Sequence, residues 1–369
     1  MFDNYNFRKI DVFLILLCIA ISYIGITFIG SADESYVKRQ QQGLVIGIIM
    51  MLIIGIISYS FVLKFYWLIY LGSIAMLVLV YLFGDSGGGA QRWFEFAGIR
   101  FQPSELVKIL LILFYAQFIM KHKENLNTFR MIVICVLLII PPFALIFKQP
   151  DLSTSIMILA IFAVVMVVGG LSWKVILGAV AVVVPSFVFA LRYAMQDSVD
   201  ILDTYQKNRI LAWLYPEEYS TTEAYQTLNA ITAIGSGQLS GKGINNNVIA
   251  SVKNGNFISE AHTDFIFAVI GEETGFIGCC VVIGLLFLIS CKCFLIAMRA
   301  KDLAGTIIAA GMGGLIGIQT FINIGVVTGL LPNTGLPLPF VSYGLTSLVS
   351  LFMGMGFVLN VKLQTPKYM

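Results

Sequence analysis

Charge is the scarcest thing in this sequence. Asp, Glu, Lys and Arg make up 12% of 369 residues, where a soluble globular chain carries roughly 25%. With 58% of residues apolar and a mean hydropathy of +0.90, that deficit excludes a soluble enzyme. It also excludes the two or three soluble domains that length alone would suggest. The six cysteines lie in apolar spans or at their rims, which excludes a disulfide framework, and Cys291 and Cys293 have the wrong spacing for a zinc or redox pair. Solenoid repeats and low-complexity tails are absent as well. A phosphate loop is missing despite the glycines of 235–243: Gly243 follows Lys242 where serine or threonine belongs, Ser236 replaces the leading glycine, and no β-α-β unit surrounds them. The net charge of +3 is uninformative by itself, and no nucleic-acid partner is expected.

What remains is an all-α polytopic membrane protein, one domain over 1–369. The first apolar run, Val12 to Ile29, follows Arg8 and Lys9 and is long enough to cross a hydrocarbon core of roughly 30 Å. Gly30-Ser31-Ala32 imitates a signal-peptidase site, but the run exceeds a signal-peptide core and reads as an uncleaved first span. Apolar runs predict about ten helices, near 12–30, 44–60, 66–83, 104–120, 130–147, 153–171, 174–192, 264–290, 304–329 and 345–361. An even number puts both termini on one side. Arg8, Lys9, Lys64, Lys121, Lys123, Arg130, Lys174, Lys292, Arg299, Lys301, Lys362 and Lys367 gather there, so that side is cytoplasmic. Asp3, Asp11, Glu124 and Asp302 are its acids, while the others fall on or near the outer face. Acids carry little topological weight, so their excess outside points to chemistry or binding there.

The outer segments are unequal. Residues 31–43 read as a short polar link, and 84–103 as a glycine-rich turn, with Gly87-Gly88-Gly89 as hinge, followed by an aromatic and basic patch. Residues 193–263 form one long loop, too long to be structureless. Short amphipathic helices are expected in it, with Trp213, Tyr215, Tyr219 and Tyr225 as interfacial aromatics. Pro332, Pro337 and Pro339 forbid a regular helix over 330–344, and such backbone at membrane depth must be buried in protein or line a cavity.

The stretch from Ile258 to Gly278 concentrates Glu260, His262, Asp264, Glu272 and Glu273 at the start of an apolar span, where an ionisable residue is costly and marks function. Asp264 suits a general base beside His262. With Glu260 it could equally hold a hard divalent cation through oxygen ligands, and the bland alternative is an aspartate capping the helix that begins at Phe265. Glu272 and Glu273 point to different helix faces, so at most one faces a given cavity and the other is expected to pair with a basic side chain. Glu105 and Lys108 can pair at i,i+3, or Lys108 can meet an anionic headgroup. Asp151 reads as a helix cap near Gln149, and Arg92, Trp93 and Arg100 as a surface for an anionic lipid or a stacked sugar. Gln319 and Asn323 read as glue between helices.

These motifs together resemble the SEDS family (shape, elongation, division and sporulation), and within it the RodA-like branch. The resemblance runs over nearly the whole chain, in order: GAQRWFEFAGIRFQPSELVK, QPDLSTS, YQTLNAITAIGSGQLSGKG, SEAHTDFIFAVIGEETG and NIGVVTGLLPNTGLPLPFVSYG. It implies ten helices in the bacterial cytoplasmic membrane and an outer-face glycosyltransferase that polymerises lipid II, the lipid-linked disaccharide-peptide precursor, with release of undecaprenyl diphosphate. Asp264 matches the family's essential acid and proposed catalytic base. Trp93, Glu105, Lys108 and Asp151 match positions lining the outer cavity, and Arg92, Arg100, Gln102, Gln149, His262 and Ser342 complete the expected substrate-binding set. Lipid II, the undecaprenyl-linked glycan, membrane lipid and a class B penicillin-binding protein are the implied partners. The pattern fixes no cofactor; a divalent cation, Mg or Mn, is an optional one that Asp264 and Glu260 could hold. The departures are Ser153 and Ser155 for glycine and alanine, Asn333 for valine, Leu345 and Thr346 for glycine and serine, and Ile258-Ser259-Glu260 for Leu-Pro-Glu.

Two other functions compete. A lipid II transporter would need ionisable residues in mid-span, whereas these cluster at the outer ends. A non-catalytic scaffold gives no reason for the costly acids. Within the family, division and sporulation paralogues remain alternatives to an elongation role.

Overall fold

Acids and prolines mark the helix starts, and the chain obeys them. Asp11 accepts from Leu14 N, Thr128 from Met131 N, Asp151 from Thr154 N and Asp302 from Gly305 N, each satisfying an amide that the helix cannot pair internally. Pro103 opens another helix, with Glu105 in its first turn near the positive end of the dipole. This is a computed structural model, and it describes residues 10–87, 90–96, 99–149, 151–194, 204–222, 224–245, 257–258 and 261–365.

The helices are α1 (Val12–Ala32), α2 (Val37–Ile56), α3 (Tyr59–Val62), α4 (Tyr66–Phe83), α5 (Pro103–Lys121), α6 (Phe129–Lys148), α7 (Leu152–Val168), α8 (Trp173–Ala194), α9 (Thr204–Leu214), α10 (Tyr225–Ser236), α11 (Ile266–Met298), α12 (Leu303–Val327) and α13 (Leu345–Leu363). Among the described residues eight helical stretches are long and apolar enough to cross a membrane. Two shorter apolar helices, at 152–168 and 173–183, stand where the sixth and seventh spans are expected. Pro141 and Pro142 inside α6 and Pro185 inside α8 do not end their helices, as is usual for spanning helices.

Three elements differ from the sequence reading. The link expected over 31–43 is a single 3-10 turn, Glu34–Tyr36, followed directly by α2. The polar first turns of α2 are kept helical because Gln40 is buried and used: its Nε2 donates to Ser342 O and its Oε1 accepts from Gly344 N. The glycine-rich turn at 84–103 is an antiparallel ribbon of β1 (Asp85–Gly87), β2 (Ala90–Phe96) and β3 (Ile99–Phe101), in that order. Gly88 and Gly89 of the expected hinge lie outside the described residues. Third, α11 runs to Met298 but breaks at Gly275, where φ is +65°.

The core centres on α12, which packs against α5, α7, α11 and α13, while α13 lies along α2. Small residues let α12 come close to its neighbours: a Cβ on Gly311 would stand 2.8 Å from Ile112, and one on Gly314 2.9 Å from Val164. This central helix ends beneath residues 331–344, the proline-bearing segment that joins it to α13. The long loop contains α9 and α10, and Trp213, Tyr215 and Tyr225 are exposed there.

Candidate active site

Outside a helical ladder the proline-bearing segment makes few backbone bonds, such as Leu331 N to Gly325 O on α12, and side chains from the surrounding helices supply further partners. Gln319 and Asn323, a turn apart on α12, donate to Pro337 O at 2.8 Å and Leu336 O at 2.7 Å. Asn323 also donates to Asp264 O at 2.8 Å. Ser153 on α7 donates its hydroxyl to Thr334 O. Arg209 Nη1 donates to Asn333 O at 3.3 Å, and Trp213 Nε1 to Gly329 O at 3.2 Å. The Ser342 hydroxyl accepts from Leu338 N at 2.7 Å and donates to Thr263 O at 2.6 Å. Irregular backbone is thereby bonded, half-buried over 331–335 and buried over 338–342, as such backbone must be within a membrane protein. The polar pair on α12 joins a loop to the bundle, where the sequence suggested helix-to-helix glue.

The same bonds place Asp264. It sits in the turn 261–265 just before α11, whose cap position is Phe265, so Asp264 stands one residue outside the capping position that the bland alternative required. Its side chain is half-buried, while the helix behind it, from Ile266 through Glu273, is wholly buried. The carboxylate lies against Gly335: a Cβ built there would stand 3.2 Å from Asp264 Oδ2 and 3.7 Å from Arg209 Nη1. Gly335 also has a φ of +74°, a conformation that disfavours any other residue. Glycine is thus doubly required where the segment turns beside the acid.

His262 stacks on Tyr36, with centroids 4.2 Å apart and planes 12° from parallel, and tilts against Tyr343 at 5.7 Å. Its carbonyl accepts from Tyr343 N at 2.9 Å. Asp33, at the end of α1, has its carboxyl held below the usual range by hydrogen bonds from Ser35, with the nearby His262 adding to the effect. Glu260, the suggested partner of Asp264 on a cation, lies outside the described residues. Among the described residues no group of three or more His, Cys, Asp and Glu gathers as a metal cluster.

Glu105 and Lys108 form the expected i,i+3 pair at 2.8 Å, and both are buried. Ser347 donates to the second oxygen of Glu105 at 2.7 Å, and Lys108 also donates to Gln319 Oε1 at 3.2 Å. Lys108 is 1% exposed, so its ammonium serves the fold rather than an open headgroup site. Asp151 caps α7 and accepts from the Thr154 hydroxyl at 2.9 Å and Gln102 Nε2 at 3.4 Å. Arg92 approaches it at 3.8 Å. Gln149 is buried and donates to Leu77 O at 3.0 Å, tying α6 to α4. Trp93 lies on β2, half-buried, opposite Asp85. Arg100 lies on β3 opposite Glu95, with its side chain outside the described residues.

Glu272 and Glu273 divide as expected, toward different partners. Glu272 pairs with Lys242 at 2.8 Å, and Glu273 accepts from the Ser31 hydroxyl and from Asn245 N at 3.2 Å. Lys242 belongs to the glycine-rich loop 235–243, which docks on the break in α11, while Ser31 comes from α1. Phe276 N donates to Gln238 O, Ile277 N to Leu239 O, Lys242 N to Glu272 O and Gly243 N to Glu273 O.

Sequence reasoning missed Gln40, Ser153 and Arg209 as parts of this assembly. Nothing local distinguishes them, because each acts on a carbonyl more than a hundred positions away. Gly335 had a local signal, since Asn-Thr-Gly between prolines is turn chemistry.

Comparison with known proteins agrees with this architecture. A family model described as "Cell cycle protein", FTSW_RODA_SPOVE, matches residues 7–367. The peptidoglycan glycosyltransferase MrdB of Escherichia coli is 33% identical, over 98% of this chain and 97% of that one. A probable peptidoglycan glycosyltransferase FtsW of Geobacter metallireducens is also 33% identical, over 97% and 98%. Among solved structures, the rod shape determining protein RodA of Thermus thermophilus aligns with a TM-score of 0.69 at 28% identity, covering 97% of this chain and 96% of that one. A chain from a structure described as coordinating polymerization and crosslinking in a peptidoglycan synthase complex aligns at 0.79 and 30% identity, covering 95% and 97%.

Proposed function

The chain belongs to the FtsW/RodA/SpoVE family of cell cycle proteins, and from that premise we propose that it is a peptidoglycan glycosyltransferase. Its substrate is lipid II, polymerised into glycan strands on the outer face of the bacterial cytoplasmic membrane for cell elongation. The names of the MrdB and FtsW relatives support the activity, and the RodA-like motif pattern supports the elongation role over division or sporulation. A class B penicillin-binding protein is the partner that crosslinks the strands, in keeping with the likeness to a chain of a synthase complex.

One observation carries the mechanism: a half-buried carboxylate, outside any capping position, is held at the start of α11, whose first turns from Ile266 to Glu273 are buried, by a bonded, proline-stiffened segment. Asp264 is the general base. The 4-hydroxyl of an acceptor sugar attacks the anomeric carbon of the lipid-linked donor and its proton passes to Asp264. The bond from that carbon to the diphosphate breaks, and undecaprenyl diphosphate leaves with the electron pair. Attack from the face opposite the leaving group inverts the centre. Trp93, Gln102, Asp151 and His262 are assigned to binding the substrate, and buried Gln149, Ser342 and the Glu105–Lys108 pair to bracing the elements that carry them.

The test is glycan synthesis from purified lipid II by the full chain with its partner. Asp264→Asn, at equal thermal stability and equal partner binding, is expected to lose about 10²–10⁴-fold in rate, the usual contribution of a general base. Polymerisation at the wild-type rate would remove Asp264 from the chemistry, and an inactive wild type that instead moves lipid II between leaflets would replace the enzyme with a transporter.

A further inference from the structure

Three consecutive carbonyls before α11 are bonded from across the fold. His262 O accepts from Tyr343 N, and Thr263 O from the Ser342 hydroxyl. Both donors belong to the proline-bearing segment, so these bonds tie two irregular stretches to each other. The third bond has a different origin. Asp264 O accepts from Asn323 Nδ2 at 2.8 Å, and Asn323 stands on α12, the helix about which the core is packed.

The same amide nitrogen also donates to Leu336 O at 2.7 Å. Leu336 directly follows Gly335, where a Cβ would stand 3.2 Å from Asp264 Oδ2. One planar carboxamide therefore fixes the backbone of the acid and the backbone of the turn that its carboxylate lies against. Both partners are carbonyls, so the donating nitrogen must be the atom that faces them.

This amide is not a balanced link. Asn323 is 1% exposed, and its Oδ1 has no hydrogen-bond partner among the described residues. A buried acceptor left unbonded costs stability. Gln319, a turn earlier and also buried, uses both ends: Nε2 donates to Pro337 O, and Oε1 accepts from Lys108. Gln319 braces the proline-bearing segment, whereas Asn323 braces that segment and the acid together, with an unbonded oxygen as the cost.

We propose that Asn323 is a positioning residue for Asp264, setting where its carboxylate stands against the Gly335 turn. The inference rests on the glycosyltransferase reading for the reaction, in which the acid takes a proton from the acceptor hydroxyl. A group misplaced by about 1 Å loses on the order of 10²-fold in rate.

Two readouts test this, one of them independent of turnover. In the first, hydrogen exchange is followed on the full chain in nanodiscs. Asn323→Leu removes both donors and should speed exchange over 262–268 by about tenfold, the worth of one hydrogen bond. Gln319→Leu should loosen 337–342 and leave 262–268 near wild type. In the second, glycan synthesis by the full chain with its partner is measured against lipid II concentration. Asn323→Leu should lower kcat by about ten- to a hundredfold with KM within about twofold of wild type, and Gln319→Leu should lower kcat far less. Asn323→Ser, with one donor for two carbonyls, should show smaller changes of the same kind, and it carries the test where the leucine variant does not fold.

Unchanged exchange over 262–268 in the Asn323 variants overturns the proposal. So does a raised KM at unchanged kcat. An equal fall of kcat in Gln319→Leu also overturns it, because Asn323 would then be one brace of the segment among several. Faster exchange over 262–268 in a protein whose wild type makes no glycan sinks the polymerase reading alone. A wild type that makes glycan, with kcat kept in Asn323→Leu, sinks this inference alone.

Discussion

Lys108 illustrates how far spacing alone can be trusted. Its pairing with Glu105 follows from an i,i+3 step on one helix and was legible in the sequence. Its second bond, to Gln319 on α12, joins residues 211 positions apart and was not. Because both charges are buried, removing one leaves the other without compensation, at a cost of about 3–5 kcal/mol. Lys108→Met should therefore destabilise the protein by that order, seen as a fall in the midpoint of denaturant or thermal unfolding in detergent. Lys108→Met combined with Glu105→Gln should recover much of the loss, since no lone charge stays behind. If the double variant is as unstable as the single, Lys108 matters through its link to Gln319 and the proline-bearing segment. Asp151 repeats the lesson, as its cap was readable from Pro-Asp-Leu-Ser-Thr, whereas the approach of Arg92 required the ribbon to fold back over it.

The break in α11 is a feature of an element and its docked loop together. The motif at 235–243 departs from a phosphate loop in its misplaced Ser and Gly, and in the structure the loop docks on α11. What it docks on could not be read, because hydropathy carries the span smoothly through Gly275 and the loop's partners are the peptide groups of Glu272 and Glu273. Two glycines separate the physical reasons for their conservation of shape. Gly241 has φ +77° and a Cβ there would collide with the Glu273 backbone; Gly243 has φ +96° with open space around it. Gly243→Ala should cost only the left-handed strain, about 1–2 kcal/mol. Gly241→Ala adds a backbone clash and should undock the loop. Hydrogen exchange at the amides of Lys242, Phe276 and Ile277 measures this, and protection should fall strongly in Gly241→Ala and little in Gly243→Ala. Equal loss in both would assign the effect to φ alone.

For the molecule as a whole, hydropathy located eight helical stretches long and apolar enough to cross a membrane and two shorter apolar helices at the expected sixth and seventh places, because lipid-facing length is a property of composition. The reading of the joints was poorer: the link at 31–43 became helix once Gln40 found Ser342, and the turn at 84–103 became a ribbon. Proline counting correctly marked 330–344 as irregular, but the side chains from α7, α9 and α12 that bond it come from across the fold. Orientation is the remaining property of the whole chain on which the proposed function depends. Contacts gather Asp33, His262, Asp264 and Glu273 at one end of the bundle, and Asp11, Lys292, Tyr59, Asp302 and Gln364 at the other. Lys64, Lys121, Lys123, Arg299 and Lys301 attend the second end, which the positive-inside rule assigns to the cytoplasm. In a cysteine-free background, Glu34→Cys, an exposed position at the first end, should react in intact cells with a membrane-impermeant maleimide. Lys64→Cys and Lys123→Cys, exposed at the second, should react only after permeabilisation. The reverse pattern would turn Asp264 toward the cytoplasm, where no strand of wall can be assembled, and would end the outer-face reading whatever the chemistry of the site.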